Sequence, residues 1–242
     1  MEYFRYSTHN LGILDAIRRH VPLSRGDLVL DVGCGTGALV TLLALRTPAQ
    51  VVGINKQARI LFDRELGYFT SPFPEARQRS SIVLGNGFTL PIRPGSAKLI
   101  TLIEVLDHVQ DNPAFLRSVA AALAPGGYLC IVVPSRRQLL DHHFGEVSQL
   151  PLFGFLPARI QDRLLARGAA KGSWLYHLFS KRDLIRLLAG FDILLLEHRP
   201  YVFDHVRKRF PLAGLALRAC YGLVFSLFPG FGSTLICIAR KR

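Results

Sequence analysis

The segment LVLDVGCGTGALV, residues 28–40, constrains the fold more than any other part of the sequence. An apolar run over residues 28–32 leads into Gly33, Gly35 and Gly37, and a second apolar run follows. Glycines permit a tight turn and a close approach of ligand to backbone, and a helix that starts after them directs free N–H groups at that ligand. The order predicts a strand, a ligand-binding loop and a helix of a doubly wound α/β sheet.

Two ligand classes compete for this loop. Gly33, Gly35 and Ala38 satisfy G-x-G-x-x-A, the dinucleotide fingerprint, in which a pyrophosphate lies on the helix N-terminus. Asp31 argues against a pyrophosphate, because a carboxylate two residues before the first glycine repels an anion and attracts an ammonium or sulfonium cation. The pattern D-x-G-x-G-x-G therefore favours S-adenosylmethionine over NAD, with an NAD-dependent dehydrogenase as the alternative.

The composition indicates a folded and strongly basic chain. Its 242 residues are enough for one α/β domain with a cap or an insertion. Hydrophobic residues make up 50% and charged residues 19%, which excludes a disordered chain. The net charge of +13 favours an anionic partner, either nucleic acid or an anionic membrane surface, although it also serves solubility.

The cysteines and the N-terminus indicate a cytoplasmic location. Cys34, Cys130, Cys220 and Cys237 are scattered without a C-x-x-C pair, so we predict neither a metal site nor a disulfide framework. The first residues lack the apolar core of a signal peptide. Both features fit a reducing cytoplasm.

Apolar strands alternate with helices over the first part of the chain, which predicts a parallel sheet covered on both faces. The predicted strands are 28–32, 51–54, 82–84, 98–103 and 128–133, and the predicted helices are 13–20, 38–46, 57–66 and 113–123.

The alternation stops after Pro134. Residues 135–180, which include a basic helix over 158–167, predict a cap above the strand ends, where open α/β sheets bind ligands. The sheet then resumes with a helix over 181–188, a strand over 191–197 and a last strand over 234–239 that runs into a basic tail.

The apolar stretch 210–231 is long enough to suggest a membrane span. Arg218 near its middle is unfavourable in a bilayer, and the last strand must return to the same sheet. Basic residues 207–209 precede the stretch, so we expect a buried or interfacial helix that rests on an anionic membrane surface or admits a lipid-like acceptor. A helix pair that completes the core, or a dimer contact, is the alternative.

With these pieces in place, the chain resembles the small-molecule, type 11-like group of class I S-adenosylmethionine-dependent methyltransferases. The resemblance covers residues 28–135 and 175–198 and rests on the order of DVGCGTG, GNGFTLPIRPGSAKLITLIEVLDHVQD, ALAPGGYLCIVVP and HLFSKRDLIRLLAGF. It implies a Rossmann-like three-layer α/β sandwich whose seven-stranded sheet is mostly parallel with an antiparallel last strand. It implies one domain over 1–242, with a cap at 135–180 and an apolar helical insertion at 200–231.

The resemblance also implies residues that bind the cofactor, S-adenosyl-L-methionine. They are Asp31, Gly33, Cys34, Gly35, Gly37, Asn55, Lys56, Asn86, Gly87 and Glu104. Asn55 takes the position where the family usually has a carboxylate that grips the ribose, and Asn86 the position where an Asp commonly accepts from the adenine amino group. An amide oxygen accepts the same hydrogen bonds but more weakly than a carboxylate.

Candidate catalytic residues are fewer, because methyl transfer from a sulfonium is an in-line displacement that needs alignment and a dry cavity. A general base is needed only when the acceptor starts protonated. His177 in the cap and His108 after the fourth strand are the candidates, each with a packing role as the alternative.

We therefore predict methyl transfer to an oxygen, nitrogen or carbon atom of an apolar small-molecule or lipid-like acceptor. RNA methylation is the less favoured alternative, because the basic residues are interleaved with aliphatic rather than aromatic ones. A cofactor-binding protein without turnover is a second alternative, suggested by the neutral Asn55 and Asn86. The sequence identifies neither the acceptor atom nor an oligomeric state.

Overall fold

The computed structural model describes residues 7–57, 73–137, 155–170, 177–199, 232 and 234–242. These ranges contain seven strands, six α-helices and a short 3-10 helix at Leu106–His108. The strands are β1 (Leu28–Val32), β2 (Gln50–Asn55), β3 (Ser80–Leu84), β4 (Ala97–Ile103), β5 (Leu123–Pro134), β6 (Phe191–Arg199) and β7 (Thr234–Lys241). The helices are α1 (Ser7–His20), α2 (Ala38–Arg46), α3 (Pro74–Arg77), α4 (Asn112–Ala122), α5 (Ala158–Ala170) and α6 (Lys181–Leu187).

The strands form one sheet in the order β3-β2-β1-β4-β5-β7-β6. β7 is antiparallel to both of its neighbours, and the pairs from β3 through β5 are parallel. This confirms the predicted fold class. The order of strands reverses between β1 and β4, so their carboxyl ends flank the crevice in which sheets of this kind bind ligands.

Helices cover the sheet on both faces. On one face α1 and α2 contribute Ile17, Leu42 and Leu43 to an apolar cluster with β1 and β2. On the other face α4 and α6 contribute Val119 and Leu184 to a second cluster. Both faces of the central strands are therefore buried, which explains their continuous apolar sequence.

Several helices begin where local capping chemistry places them. The bounds of β1 and α2 are those predicted from the sequence. At the start of α4 the Asp111 carboxylate accepts a hydrogen bond of 2.9 Å from the backbone N of Ala114. At the start of α6, Ser180 and Asp183 form a reciprocal capping box.

β5 begins five residues before the predicted strand. Leu123 pairs with Ala97, and Tyr128 pairs with Leu99, so the chain bulges between the two pairings. Gly126 has φ +66° within the bulge, a value that favours glycine.

The predicted end of the last strand at residue 239, with a basic tail after it, is wrong. β7 continues through Lys241, whose Nζ donates to the carbonyl oxygens of Ala120 and Leu123 at 2.6 and 3.0 Å. These carbonyls end α4, where a cation compensates the helix dipole. Lys241 is therefore part of the fold.

Some predicted elements lie outside the described residues: the helix at 57–66 apart from Gln57, half of the cap at 135–180 and all of the insertion at 200–231. Within the cap, α5 confirms the predicted basic helix and extends it to Ala170. No helix in the described ranges is long and apolar enough to cross a membrane.

Candidate functional site

A cleft of about 690 Å³ opens at the carboxyl edge of the sheet, where β1, β2, β3 and β4 end. Its volume is in the range of small-molecule and cofactor sites. Its lining consists of Val32, Gly33, Gly35, Ile54, Asn55, Lys56, Gln57, Gly85, Asn86, Gly87, Phe88, Glu104, Val105, His108, Val109, Gln110, Asp111 and Phe115.

The glycine loop after β1 forms the inner wall of the cleft. Gly33 has φ +79°, and a Cβ added there would lie 2.5 Å from Val105 Cγ2. Gly35 has φ +51°, and a Cβ there would meet no described atom within 4 Å. The first glycine therefore gives close packing on the segment after β4, and the second exposes its backbone to a ligand. Gly37 is buried at the N-cap of α2 and is absent from the lining.

Asp31 lies behind this loop. Its side chain is buried and does not line the cleft. Thr101 Oγ1 on the neighbouring strand β4 donates a hydrogen bond of 2.6 Å to Asp31 Oδ1. Burial raises the pKa of the Asp31 carboxyl to about 6, and the hydrogen bond from Thr101 opposes that rise. Neutral pH lies above this pKa, so the carboxylate form of Asp31 predominates there.

Cys34 also faces away from the cleft. Its Sγ lies 3.8 Å from the carbonyl oxygen of Gly35, and a Cβ added at Gly53 on β2 would approach that Sγ to 2.8 Å. Burial, followed by the nearby Asp31 charge, raises the pKa of the Cys34 thiol to about 12. Cys34 therefore remains a neutral thiol that packs the loop against β2.

The Asn55 side chain at the end of β2 supports the loop as well as lining the cleft. Its Nδ2 donates to the carbonyl oxygen of Gly35 at 3.3 Å, and its Oδ1 accepts from the backbone N of Gln57 at 2.9 Å. Each amide atom retains one further hydrogen-bonding position. Lys56, the next residue, also lines the cleft.

The turn after β3 forms the opposite wall. Asn86 Oδ1 accepts from the backbone N of Phe88 at 3.1 Å, which is an Asx turn. Phe88 packs edge-to-face on Phe115 of α4, with ring centroids 5.2 Å apart. A Cβ at Gly87 would collide with the Phe115 ring, so Gly87 permits this packing.

Sequence reasoning missed this aromatic wall. Phe88 and Phe115 are 27 residues apart by number, and no periodic pattern joins a turn to a distant helix. The pair G-x-G around Asn86 was the available signal, because close packing requires a residue without a Cβ there.

Glu104 stands at the end of β4 with φ +54°, a left-handed value that is strained for a residue other than glycine. Its backbone N donates to the carbonyl oxygen of Val132 at 2.8 Å, which fixes this conformation. The strained residue lines the cleft, next to Val105, on which the glycine loop packs. Strain of this kind is concentrated at functional sites.

The two candidate histidines occupy different positions. His108 lines the cleft, with its side chain 49% exposed and its Nε2 3.3 Å from Oδ2 of the buried Asp107. His177 is absent from the lining, and its backbone N donates to the carbonyl oxygen of Asp107 at 3.3 Å. Only His108 therefore faces the cleft, although both contact the same residue.

These features fit a nucleoside cofactor with a cationic centre. Gly35 presents bare backbone, the amides of Asn55 and Asn86 face the nucleoside-sized space, and Phe88 supplies an aromatic surface. Buried Asp31 adds negative charge behind the loop, which disfavours a pyrophosphate. The fold and the cleft define a Rossmann-like protein that binds such a cofactor.

Comparison with known proteins identifies the family. Residues 6–198 match the family model described as a methyltransferase domain. The chain belongs to this family. The predicted recognition, the methyltransferase assignment and the S-adenosylmethionine cofactor are confirmed at the level of the family.

Relatives of known activity are moderately similar. Over 104 residues the chain is 34% identical to the ubiquinone biosynthesis O-methyltransferase of Albidiferax ferrireducens. The matched residues cover 43% of this chain and 40% of that protein. It is 31% identical over 156 residues to the trans-aconitate 2-methyltransferase of Delftia acidovorans, with coverage of 62% and 54%. The matched part thus spans about half the length of these relatives.

A solved structure shares the fold over nearly the whole chain. The S-adenosylmethionine-dependent methyltransferase of Mesorhizobium loti superimposes with a TM-score of 0.59 at 19% identity, covering 94% of this chain and 96% of that one.

Proposed function

We propose that the protein is a cytoplasmic enzyme that transfers a methyl group from S-adenosylmethionine to an apolar small-molecule or lipid-like acceptor. The observation that carries this proposal is the bare glycine loop at the cleft, backed by the buried Asp31 carboxylate. Membership of the methyltransferase domain family supports the reaction type.

The acidic residues near the glycine loop support S-adenosylmethionine as the cofactor. S-adenosylmethionine supplies an activated methyl group on a positively charged sulfur. Asp31 behind the loop and Glu104 in the lining of the cleft are acidic residues in a chain whose net charge is +13. They favour a cation at this end of the cleft. The same charges oppose a dinucleotide, so the dehydrogenase alternative is less favourable.

Neutral side chains line the part of the cleft that we assign to the nucleoside of the cofactor. The free hydrogen-bonding positions of Asn55 suit ribose hydroxyls, and those of Asn86 suit the adenine amino group. Phe88 and Phe115 offer apolar surface to the base. These contacts lack a charge-assisted hydrogen bond to the ribose, so we expect moderate cofactor affinity.

His108 is our candidate general base for an acceptor that starts as a hydroxyl. It faces the cleft beside Glu104, and the buried Asp107 carboxylate orients its ring. In this scheme His108 would accept the proton of the acceptor hydroxyl. The bound cofactor would supply the methyl group, with its carbon–sulfur bond breaking as the acceptor oxygen–carbon bond forms, and would leave as the neutral demethylated thioether. His177 is the second candidate, although its absence from the lining makes it the weaker one.

The apolar character of the acceptor is supported by the walls near His108. Val105 and Val109 line this side of the cleft. One relative is named as an O-methyltransferase of ubiquinone biosynthesis and another as a trans-aconitate 2-methyltransferase, so the names of related chains do not point to one acceptor. We favour the apolar class for this chain because of these walls.

Calorimetry with S-adenosylmethionine, its demethylated product and NADH tests the cofactor. We expect binding of the first two and none of NADH.

Incubation with methyl-labelled cofactor and fractionated host extract, with tRNA as a separate acceptor, then tests the reaction. Label in an apolar fraction supports the proposal, and label in tRNA favours the RNA alternative. Tight binding without any transfer favours the cofactor-binding protein without turnover.

A further inference from the structure

We propose that the exposed face of α5 docks the protein onto an anionic lipid bilayer. This goes beyond the proposed function, since neither the cofactor cleft nor the reaction requires it. One face of α5 is anchored to the protein, its other side exposes basic and apolar side chains, and the helix contacts the segment that follows β5.

The orientation of α5 is set by contacts on its inner face. Leu164 and Leu165 pack with Leu156 against the buried Leu178. Between them, Gln161 is 2% exposed, and its Nε2 donates at 3.1 Å to the carbonyl oxygens of Arg136 and Leu156. This face is therefore occupied by the protein itself, and the opposite face must point outward.

The outward face carries a row of arginines. Arg159, Arg163 and Arg167 are exposed and spaced four residues apart, so successive guanidinium groups are displaced by roughly 40° around the helix. Asp162, the acidic residue of α5, forms an ion pair of 2.7 Å with Arg136 toward the sheet. The row is thus not neutralised by an acid within its own helix.

Two large apolar side chains flank the arginines. Phe155 is 55% exposed, and Ile160, which lies beside the row on the helix, is 43% exposed. Cations with adjacent exposed apolar groups match the headgroup region of an anionic bilayer, in which charge attracts and apolar groups insert. RNA would gain from the arginines but not from Ile160, which has no ring to stack on a base.

The location of α5 is suited to a lipid-like acceptor. Arg136, which contacts α5, follows the carboxyl end of β5, and Ser135 pairs with Phe179 at the same point. The cleft opens at the carboxyl edge of the same sheet. A bilayer that contacts α5 would therefore lie near the edge of the sheet at which the cleft opens.

Flotation of the full chain with vesicles tests this inference. One set contains phosphatidylcholine alone, and the other contains phosphatidylcholine with phosphatidylglycerol. We expect flotation only with the anionic vesicles, and its loss at high salt. The docking variant replaces the row by glutamine, and the control removes the same charge from exposed arginines elsewhere. The docking variant is Arg159→Gln, Arg163→Gln and Arg167→Gln, and the control is Arg25→Gln, Arg77→Gln and Arg93→Gln.

The expected contrast is large. With about 1 kcal/mol per basic residue near an anionic surface, the docking variant should partition roughly 100-fold more weakly. The partitioning of the control variant onto anionic vesicles should fall much less. A second variant, Phe155→Ser with Ile160→Ser, should weaken partitioning roughly tenfold at constant charge, and Ile185→Ser with Leu194→Ser is its control.

Three outcomes would overturn the inference: no flotation of the parent chain, equal flotation of the docking variant and its control, or binding of the row to tRNA but not to vesicles. Unchanged calorimetric affinity for S-adenosylmethionine shows that the docking variant is folded. Failure of docking would leave the proposed reaction untouched, because that is measured separately with soluble acceptor.

Discussion

Thr101 Oγ1 lies 2.6 Å from Asp31 Oδ1, and this hydrogen bond joins two neighbouring strands directly behind the glycine loop. It helps to hold a buried carboxylate that is unfavourable for the isolated fold and favourable for a cationic ligand. Removing the Asp31 charge should therefore change stability and cofactor binding in opposite directions.

Asp31→Asn should raise stability and weaken cofactor binding. The pKa of Asp31 rises from 3.8 to about 6 on folding, so the stability it contributes is present below pH 3.8 and lost as the pH rises toward 6. At pH 7 the variant should gain about 1–3 kcal/mol in the free energy of unfolding without cofactor. Its affinity for S-adenosylmethionine should fall about tenfold.

Urea unfolding and calorimetry measure the two effects of Asp31→Asn. Asp15→Asn, which removes an exposed carboxylate, is the control and should change neither quantity appreciably. Unaltered cofactor affinity in Asp31→Asn would contradict the electrostatic role of Asp31.

His108→Gln should lower kcat for a hydroxyl acceptor about 100-fold while leaving the affinity for S-adenosylmethionine within a few-fold, because a base acts on the acceptor proton. Asp107→Asn should give a smaller fall, since it removes only the carboxylate that orients the ring. Steady-state kinetics with the acceptor identified from extract measure both. His20→Gln, outside the cleft, is the control, and full activity in His108→Gln would exclude a base at this position.

Gly87→Ala should destabilise the fold by about 1–3 kcal/mol, because its methyl group would overlap the Phe115 ring. The displaced ring should also weaken cofactor binding. Gly190→Ala is the matched control, since a Cβ there meets no described atom within 4 Å. Chemical unfolding compares the two variants, and equal stability would show that Phe115 can move aside without cost.

His198 should make the protein less stable in acid. Burial, followed by the Lys181 and Arg137 charges, lowers the pKa of His198 from 6.5 to about 4. The unfolded chain therefore binds more protons than the folded chain between these values, and stability falls as the pH drops from 6.5 toward 4. The neutral ring lies 3.3 Å from Ser135 Oγ at its Nδ1.

In His198→Asn the thermal midpoint should depend less on pH across the interval from 6.5 to 4 than in the parent. Differential scanning calorimetry at several pH values measures this. Parallel pH profiles for the two proteins would refute a neutral His198 in the folded state.

Lys241→Met should cost about 1–2 kcal/mol, because it leaves two carbonyl oxygens at the end of α4 without their charged donor. Arg240→Met removes an exposed cation from the adjacent position and is the control. Thermal unfolding should separate the two variants, and equal midpoints would show that solvent replaces the Lys241 ammonium.

The structure divides the predicted site residues into those that line the cleft and those that do not. Gly33, Gly35, Asn55, Lys56, Asn86, Gly87, Glu104 and His108 line the cleft, whereas Asp31, Cys34, Gly37 and His177 do not. A motif identifies the residues of a loop, but the side on which each side chain falls depends on the strands packed against it. The roles of all these residues in binding and catalysis stay predictions.

The sequence by itself determined the local elements and the family. The apolar run before the glycines specified β1, and the run after them specified α2, because propensity and periodicity act between near neighbours. The tertiary structure alone decided three contacts: Thr101 donates to Asp31, Phe115 packs on Phe88, and the Lys241 ammonium donates to a carbonyl oxygen at the end of α4. Those contacts join residues distant in the chain, and only the packing of strands and helices brings them within bonding distance.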